Sequence, residues 1–106
     1  TELKKALFTF EDLQRIDSRG LQSLLKEVST ENLVLALKTA SEAIREKVFS
    51  SVSSRASQML REELELLGPT RLADVEAAQQ TIVEAALRLE REGKIQIARE
   101  GGSDYV

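Results

Sequence analysis

Residues 54–92 read SRASQMLREELELLGPTRLADVEAAQQTIVEAALRLERE and contain two helical patterns separated by a strong break. Gly68 and Pro69 form the break, because glycine commonly ends a helix and proline cannot continue one. After the break, one stripe of positions recurs at alternating spacings of three and four residues. This stripe predicts a helix from Leu72 to Glu92, and it consists of Leu72, Val75, Gln79, Ile82, Ala86 and Leu89.

The residues before the break predict a helix that begins after Ser51 or Ser53 and ends at Leu67, with Gly68 as its C-terminal cap. At about 100° per residue, its apolar side chains cluster on one side. These side chains are Val52, Ala56, Met59, Leu60 and Leu67.

Charged side chains line the opposite face of this fifth helix. Arg55 and Glu62 align along one edge of that face, and Gln58, Arg61 and Glu65 extend it. Arg55 lies near the helix N-terminus, where the macrodipole disfavours a cation, and it is too far from Glu62 for a helical ion pair. The pattern therefore leaves these charges available to a partner, although charges of this kind also occur on ordinary solvated helix faces.

Glu63 falls inside the expected apolar stripe. Either the phase of the helix shifts, or this carboxylate is partly sheltered and needs a cation. Arg71, just after the break, is the candidate for that cation.

Four shorter helices are predicted upstream, each opened by a side chain that can cap its first turn. In chain order they run from Phe10 to Ile16 with Thr9 as N-cap, from Asp17 or Ser18 to Val28, from Ser29 or Thr30 to Ala40, and from near Thr39 through Phe49. Thr39–Glu42 has the form of a capping box. Gly93 ends the sixth helix, and Lys94–Ala98 alternates polar and apolar residues as an extended segment does.

The composition favours an all-α protein, since the 106 residues include only 5 glycines and 1 proline. We expect a single compact domain of about six short helices in an armadillo-like right-handed stack. Residues 10–98 would form this domain and residues 99–106 a flexible tail.

The charge and residue types exclude several function classes. The chain has no Cys and no His, so disulfides and thiolate or imidazole chemistry are excluded. The net charge of -3, with both signs interleaved, argues against nucleic-acid binding. No apolar run is long enough to insert into a membrane. The acidic pairs do not converge on one helix face, so we expect no metal, no cofactor and no enzymatic activity.

Residues 54–80 resemble the C-terminal domain of the FliG family of flagellar motor switch proteins. The likeness rests on the pattern Arg-Ala…Leu-Arg-Glu-Glu-Leu…Gly-Pro-Thr-Arg-Leu…Asp-Val-Glu, and it extends to residues 35–40, to residues 44–49 and to the Asp-Tyr-Val end. The resemblance implies a rotor domain at the cytoplasmic face of the inner membrane, in the switch complex of the flagellar basal body. Its fifth helix would meet the cytoplasmic loop of a MotA-type stator protein, for torque generation and direction switching. Other FliG copies and FliM are implied as further partners.

Carried over by position, the stator-interaction charges fall on Lys38, Arg55, Glu62, Glu63 and Arg71. Residues 1–10 would be the end of a hinge to the preceding subdomain. The hinge motif of the family, Met-Phe-x-Phe, is present as Leu7-Phe8-Thr9-Phe10. Because the Leu side chain is torsionally less soft than Met, we expect less freedom at this hinge than the family motif implies. Two further departures from the family pattern are Glu62, which stands where an Asp is expected, and Gly20, which we expect to loosen the second helix.

The alternative is a helical adaptor similar to the cytosolic N-terminal domain of MgtE-type magnesium channels. Such a domain needs acidic clusters aimed at Mg²⁺. The acidic residues here are dispersed and matched by Arg and Lys, which favours the rotor domain.

Overall fold

A computed structural model describes residues 8–97 of the chain. These residues form six helices, which we number α1–α6 in chain order, and they contain no β-strand. The helices are α1 (Phe10–Arg15), α2 (Ser18–Lys26), α3 (Thr30–Leu37), α4 (Glu42–Ser51), α5 (Ser54–Leu66) and α6 (Leu72–Arg91). The predicted all-α domain of six helices is confirmed. The proposed tail, residues 99–106, lies outside the described residues.

The first helix is a 3₁₀ helix, and it opens with a capping box between Thr9 and Asp12. The Thr9 amide donates a hydrogen bond to Asp12 Oδ2 at 2.8 Å, and Arg15 Nε donates to Oδ1 at 3.2 Å. The bond from the Thr9 amide is the main cause that lowers the pKa of the Asp12 carboxyl from its ordinary value of 3.8. The ionised carboxylate of Asp12 is therefore the form that stabilises the first turn of α1.

Helices α2, α3 and α4 each begin at a side-chain cap. Asp17, Ser29 and Ser41 accept hydrogen bonds from backbone amides three residues further along. The predicted capping box from Thr39 to Glu42 is therefore wrong. The Ala40 amide still donates to the Leu37 carbonyl at 3.2 Å, so Thr39 lies within the turn that ends α3.

The core lies mainly between α3 and α6, which pack against each other more extensively than any other pair of helices in residues 8–97. The buried face of α6 consists of Val75, Ala78, Ile82, Val83, Ala86 and Leu89. Leu72, which the sequence placed in this face, is 60% exposed, as the first three residues of α6 are all exposed and burial begins at Val75. Gln79 is half-buried, and its amide donates to the Ala36 carbonyl of α3 at 3.0 Å.

The segment after α6 returns to the start of the domain. Gly93 has a φ of 77°, and the Lys94 amide donates to the Leu89 carbonyl at 2.9 Å, which completes the predicted glycine cap. Ile97 then forms an antiparallel bridge with Ile16, as expected of an extended segment.

Gly20 allows Ile16, the partner of Ile97 in this bridge, to pack closely against α2. A Cβ atom on Gly20 would lie 2.8 Å from Ile16 Cγ2 and 3.4 Å from Ile95 Cβ. The absence of a side chain therefore serves close packing at this position, and not the loosening of α2 that the sequence suggested. No helix within residues 8–97 is long and apolar enough to cross a lipid bilayer.

Candidate protein-binding face

Helix α5 buries a narrow stripe. It begins after Ser53, whose hydroxyl accepts a hydrogen bond from the Ala56 amide at 3.1 Å. Leu60 is its one buried residue, and Ala56, Leu64 and Leu67 are half-buried beside it. The predicted stripe included Met59, which is wrong, since this side chain is 53% exposed. Helix α5 packs against both α3 and α4, and this contact turns Leu60 and Leu64 inward in place of Met59.

The packing of α5 against α3 and α4 also decides whether Glu63 is sheltered or exposed. This side chain is exposed, and within residues 8–97 it forms no ion pair with Arg71 or any other residue. The shift in helix phase is therefore the correct alternative, and the pairing of Glu63 with Arg71 is wrong.

The charges of α5 are arranged against its macrodipole. An acidic side chain near a helix N-terminus or a basic one near a C-terminus stabilises an exposed helix by about 0.3–1 kcal/mol. Helix α5 has no acidic residue in its first turn and no basic residue in its last turn. Its first turn contains Arg55, and its second half contains Glu62, Glu63 and Glu65. The other helices in residues 8–97 have at least one of the two favourable placements, and α1 and α6 have both.

Most of these charges have no partner inside the domain. Arg55, Glu63 and Glu65 are exposed and form no hydrogen bond or ion pair within residues 8–97. Glu62 accepts one weak bond, from the Gln58 amide at 3.4 Å. Arg55 and Glu62 are about 10 Å apart along the helix axis, so they do not neutralise each other. The face therefore presents a positive end and a negative end to the solvent.

Arg61 differs from these residues, although the sequence placed it on the same face. Its guanidinium carbon lies 4.3 Å from the centroid of the Phe49 ring on α4, which is a cation–π contact. Its Nε also donates to the Ser57 hydroxyl at 3.4 Å. Arg61 thus contributes to packing between α4 and α5.

Lys38, at the C-cap of α3, is half-buried and lies at the C-terminal end of α5. Its Nζ donates to the Gly68 carbonyl at 3.0 Å and to the Leu67 carbonyl at 3.4 Å. The predicted cap at Gly68 is wrong, because Leu67 leaves the helix in an extended conformation and Gly68 has no positive φ. Lys38, from the end of α3, instead bonds the carbonyls of the turn that follows α5.

Arg71 is the N-cap residue of α6 and is exposed, without a side-chain bond within residues 8–97. It therefore lies on the surface just beyond the end of α5. Of the three hinge positions, Leu7 lies outside the described residues. Phe8 is half-buried, and Phe10 is 7% exposed and packs in the core.

Two apolar side chains on the exposed side of α5 were missed by the sequence reasoning. Leu66 is 83% exposed, and it lies seven residues after Met59. Arg55, Met59, Glu62 and Leu66 follow one another along a single line on the helix surface, with Glu63 beside it. We call these five residues the α5 ridge. On a helical wheel Leu66 falls on the same side as Arg55 and Glu62, and this position could have predicted its exposure.

The described residues contain no group of Asp and Glu side chains that could hold a metal ion. What the α5 ridge can do chemically is to make weak, reversible charge contacts around two apolar side chains. Such a surface suits another protein.

Comparison with known proteins finds relatives that match almost the whole chain. Residues 1–97 match the family described as the FliG C-terminal domain. The chain is 48% identical over 105 residues to the flagellar motor switch protein FliG of Thermotoga maritima, and 45% identical to that of Bacillus subtilis. In both cases the match covers 99% of this chain and 31% of the relative. The chain thus spans about a third of the length of these relatives.

Solved structures give the same result. A crystal structure of FliG residues 116–343 from H. pylori matches with a TM-score of 0.85 and 36% identity, over 89% of this chain and 41% of that one. Full-length FliG from Aquifex aeolicus matches with a TM-score of 0.83 and 35% identity, over 89% of this chain and 29% of that one.

Proposed function

Because this chain belongs to the FliG C-terminal domain family, we propose that it presents the α5 ridge to a stator protein of the flagellar motor. The partner surface is the cytoplasmic loop of a MotA-type stator protein, and the contact serves torque generation and direction switching. In this proposal the domain works at the flagellar basal body, on the cytoplasmic face of the inner membrane, and has no enzymatic activity. Neighbouring FliG copies and FliM are its further partners in the rotor.

The observation that carries the proposal is the order of charges on α5. A helix whose charges served stability would have acidic residues first and basic residues last, as α6 does. The order is reversed in α5, and Arg55 and Glu63 are unpaired within residues 8–97. Charges that cost stability and face solvent are well placed for a partner.

The contacts proposed for the stator are Arg55 at one end of the ridge, Glu62 and Glu63 at the other, and Arg71 beyond the end of the helix. The resemblance also implied a stator contact for Lys38, whose ammonium is bonded to backbone carbonyls.

The expected mechanism is electrostatic registration. Each exposed ion pair contributes about 0–1 kcal/mol, so a single pair neither holds nor orients a partner. Two ends of opposite sign, about 10 Å apart, set both register and direction. Weak individual contacts also suit a part that must engage and release its partner at every step.

The test is binding of the 106-residue chain to the cytoplasmic loop of its cognate stator protein, at low and high salt. Arg55→Glu and the double variant Glu62→Lys/Glu63→Lys should each weaken binding, and reversal of the stator charges should restore part of it. Arg19→Glu is the matched control, because Arg19 is also exposed and occupies the second position of α2 as Arg55 does in α5. Equal binding by all folded variants, checked by circular dichroism, would refute the proposal.

A further inference from the structure

We propose that Lys38 is a positioning residue, which holds the C-terminal end of α5 in place and does not itself meet the stator. The proposal is based on the two hydrogen bonds from its ammonium group to the carbonyls of Leu67 and Gly68. The positioning role of Lys38 rests on these contacts alone. The importance of Lys38 for stator binding rests on the function proposed above.

The C-terminal end of α5 needs an external cation. The last turns of any α-helix leave carbonyl groups without intrahelical partners, and these groups carry a partial negative charge. In α5 that end also has three nearby glutamates and no basic residue in its last turn. No left-handed glycine follows it to supply amide donors, since among the described glycines only Gly93 has a positive φ.

Lys38, at the C-cap of α3, brings a cation to this end by bonding the turn that follows α5, where Leu67 leaves the helix and Gly68 lies beyond it. Its Nζ lies 3.0 Å from the Gly68 carbonyl oxygen and 3.4 Å from that of Leu67, at a sequence separation of 30 and 29 residues. An ammonium group has three donors and no acceptor, so it can serve both carbonyls at once. It also offsets the negative charge that the glutamates place at this end.

The backbone of Lys38 is itself firmly held. Arg45 of α4 donates from Nη2 to the Lys38 carbonyl at 2.8 Å and from Nε to the Leu37 carbonyl at 2.9 Å. Gln79 of α6 donates to the Ala36 carbonyl at 3.0 Å. Side chains of α4 and α6 thus fix the end of α3, and Lys38 transmits that position to the end of α5.

This arrangement explains how Glu62 and Glu63 keep a defined position on a helix whose charge order is unfavourable. Without the Lys38 ammonium, the last turn of α5 would fray. The two carboxylates lie within about one turn of that end, so fraying would spread them over several orientations.

The test compares Lys38→Met, which keeps an unbranched apolar stem and removes the donor, with Lys38→Arg, which keeps a cation. Amide hydrogen exchange is measured on the 106-residue chain without any partner. We expect Lys38→Met to speed exchange of the Leu64 and Leu67 amides about fivefold to tenfold, as loss of a charge-assisted hydrogen bond implies. We expect Lys38→Arg to restore exchange to within about twofold of the original chain. Lys26→Met removes an exposed lysine from the end of α2 and should leave exchange in α5 unchanged.

Stator binding then separates a positioning role from a contact role. We expect Lys38→Met to weaken binding severalfold while the slope of log Kd against log salt stays that of the original chain, because no contact charge is lost. Arg55→Met should flatten the slope. Unchanged exchange in Lys38→Met, or a flattened salt slope for this variant, would overturn the assignment. Absence of stator binding in the original chain would refute the proposed function. Amide hydrogen exchange in Lys38→Met would still decide whether Lys38 holds the end of α5 in position.

Discussion

Arg61 of α5 lies over the ring of Phe49 of α4, with its guanidinium carbon 4.3 Å from the ring centroid. This contact joins the outer edge of the charged helix to its neighbour. Arg61 is therefore the arginine of α5 that stabilises the domain, whereas Arg55 has no partner within residues 8–97.

Arg61→Gln is expected to lower the free energy of unfolding by about 0.5–1 kcal/mol, which is the strength of an exposed cation–π contact. Urea unfolding, followed by circular dichroism, measures the loss. Arg55→Gln removes the same charge from the same helix and should cost nothing. Equal losses in the two variants would contradict a specific role for the Phe49 contact.

Arg55→Glu is expected to stabilise the isolated domain by about 0.5–1 kcal/mol while it weakens stator binding. The substitution places an anion at the positive end of the helix macrodipole, where the original residue is unfavourable. Urea unfolding and a binding titration on one preparation test both halves of the prediction. Arg19→Glu should stabilise α2 by a similar amount and leave binding unchanged, and a destabilised Arg55→Glu domain would speak against the macrodipole argument.

Met59→Ser/Leu66→Ser is expected to weaken stator binding by a factor that does not change with salt. The two apolar side chains are 53% and 83% exposed between the charges of the ridge, and burial of apolar surface is not screened by ions. Isothermal titration at two salt concentrations measures the factor.

The unfolding free energy of the double variant should stay within about 0.5 kcal/mol of the original chain, whereas Leu60→Ala, at a buried position, should lose about 2–3 kcal/mol. A binding loss that disappears at high salt would assign the effect to the charges.

Gly20→Ala is expected to destabilise the domain by about 1 kcal/mol. Alanine gains up to about 1 kcal/mol of helix propensity over glycine, but a Cβ 2.8 Å from Ile16 Cγ2 forces a shift in a packed region, at a cost of about 1–3 kcal/mol. Thermal and urea unfolding measure the balance. Gly68→Ala is the contrasting case, because nothing lies within 4 Å of its Cβ position. It should be neutral or slightly stabilising, and a stabilised Gly20→Ala variant would show that Ile16 moves aside freely.

Asp12→Asn is expected to cost about 1 kcal/mol near neutral pH, because it removes the carboxylate charge that strengthens the bonds from the Thr9 amide and from Arg15. The folded-state pKa of Asp12 is lowered from 3.8, so its ionised form stabilises the native state above that value. This contribution is lost as pH falls through the folded-state pKa. Urea unfolding at pH 7 and below pH 4 should therefore show the two proteins converging in stability at acid pH, and a constant difference would exclude Asp12 as the titrating group.

Local signals in the sequence were sufficient for the order and type of the helices. A helix start depends on a side chain that bonds an amide three residues away, and a helix end depends on a nearby glycine or proline. The cap at Asp17 and the glycine turn at Gly93 are of this kind. The capping box proposed at Thr39 failed because the end of α3 competes for the same residues.

The candidate site was predicted in part for the same reason. The positions of Arg55 and Glu62 relative to the ends of their helix follow from the local sequence, and so does the unfavourable order of their charges. The exposure of Met59 and Leu66 was missed, because the buried side of a helix depends on where its neighbours pack. Helix α5 contacts both α3 and α4, and the direction between them sets its phase.

The sequence by itself determined six helices, several of their caps and a helix with reversed charges, because each of these depends on residues within a few positions of one another. The tertiary structure alone decided which charges remain available. Lys38 is bonded to carbonyls 29 and 30 residues away, and Arg61 is held over a ring on the neighbouring helix. Such contacts depend on the packing of whole helices, which the spacing of residues along the chain does not reveal. They distinguish the charged side chains that hold α5 in place from those that α5 exposes to the solvent.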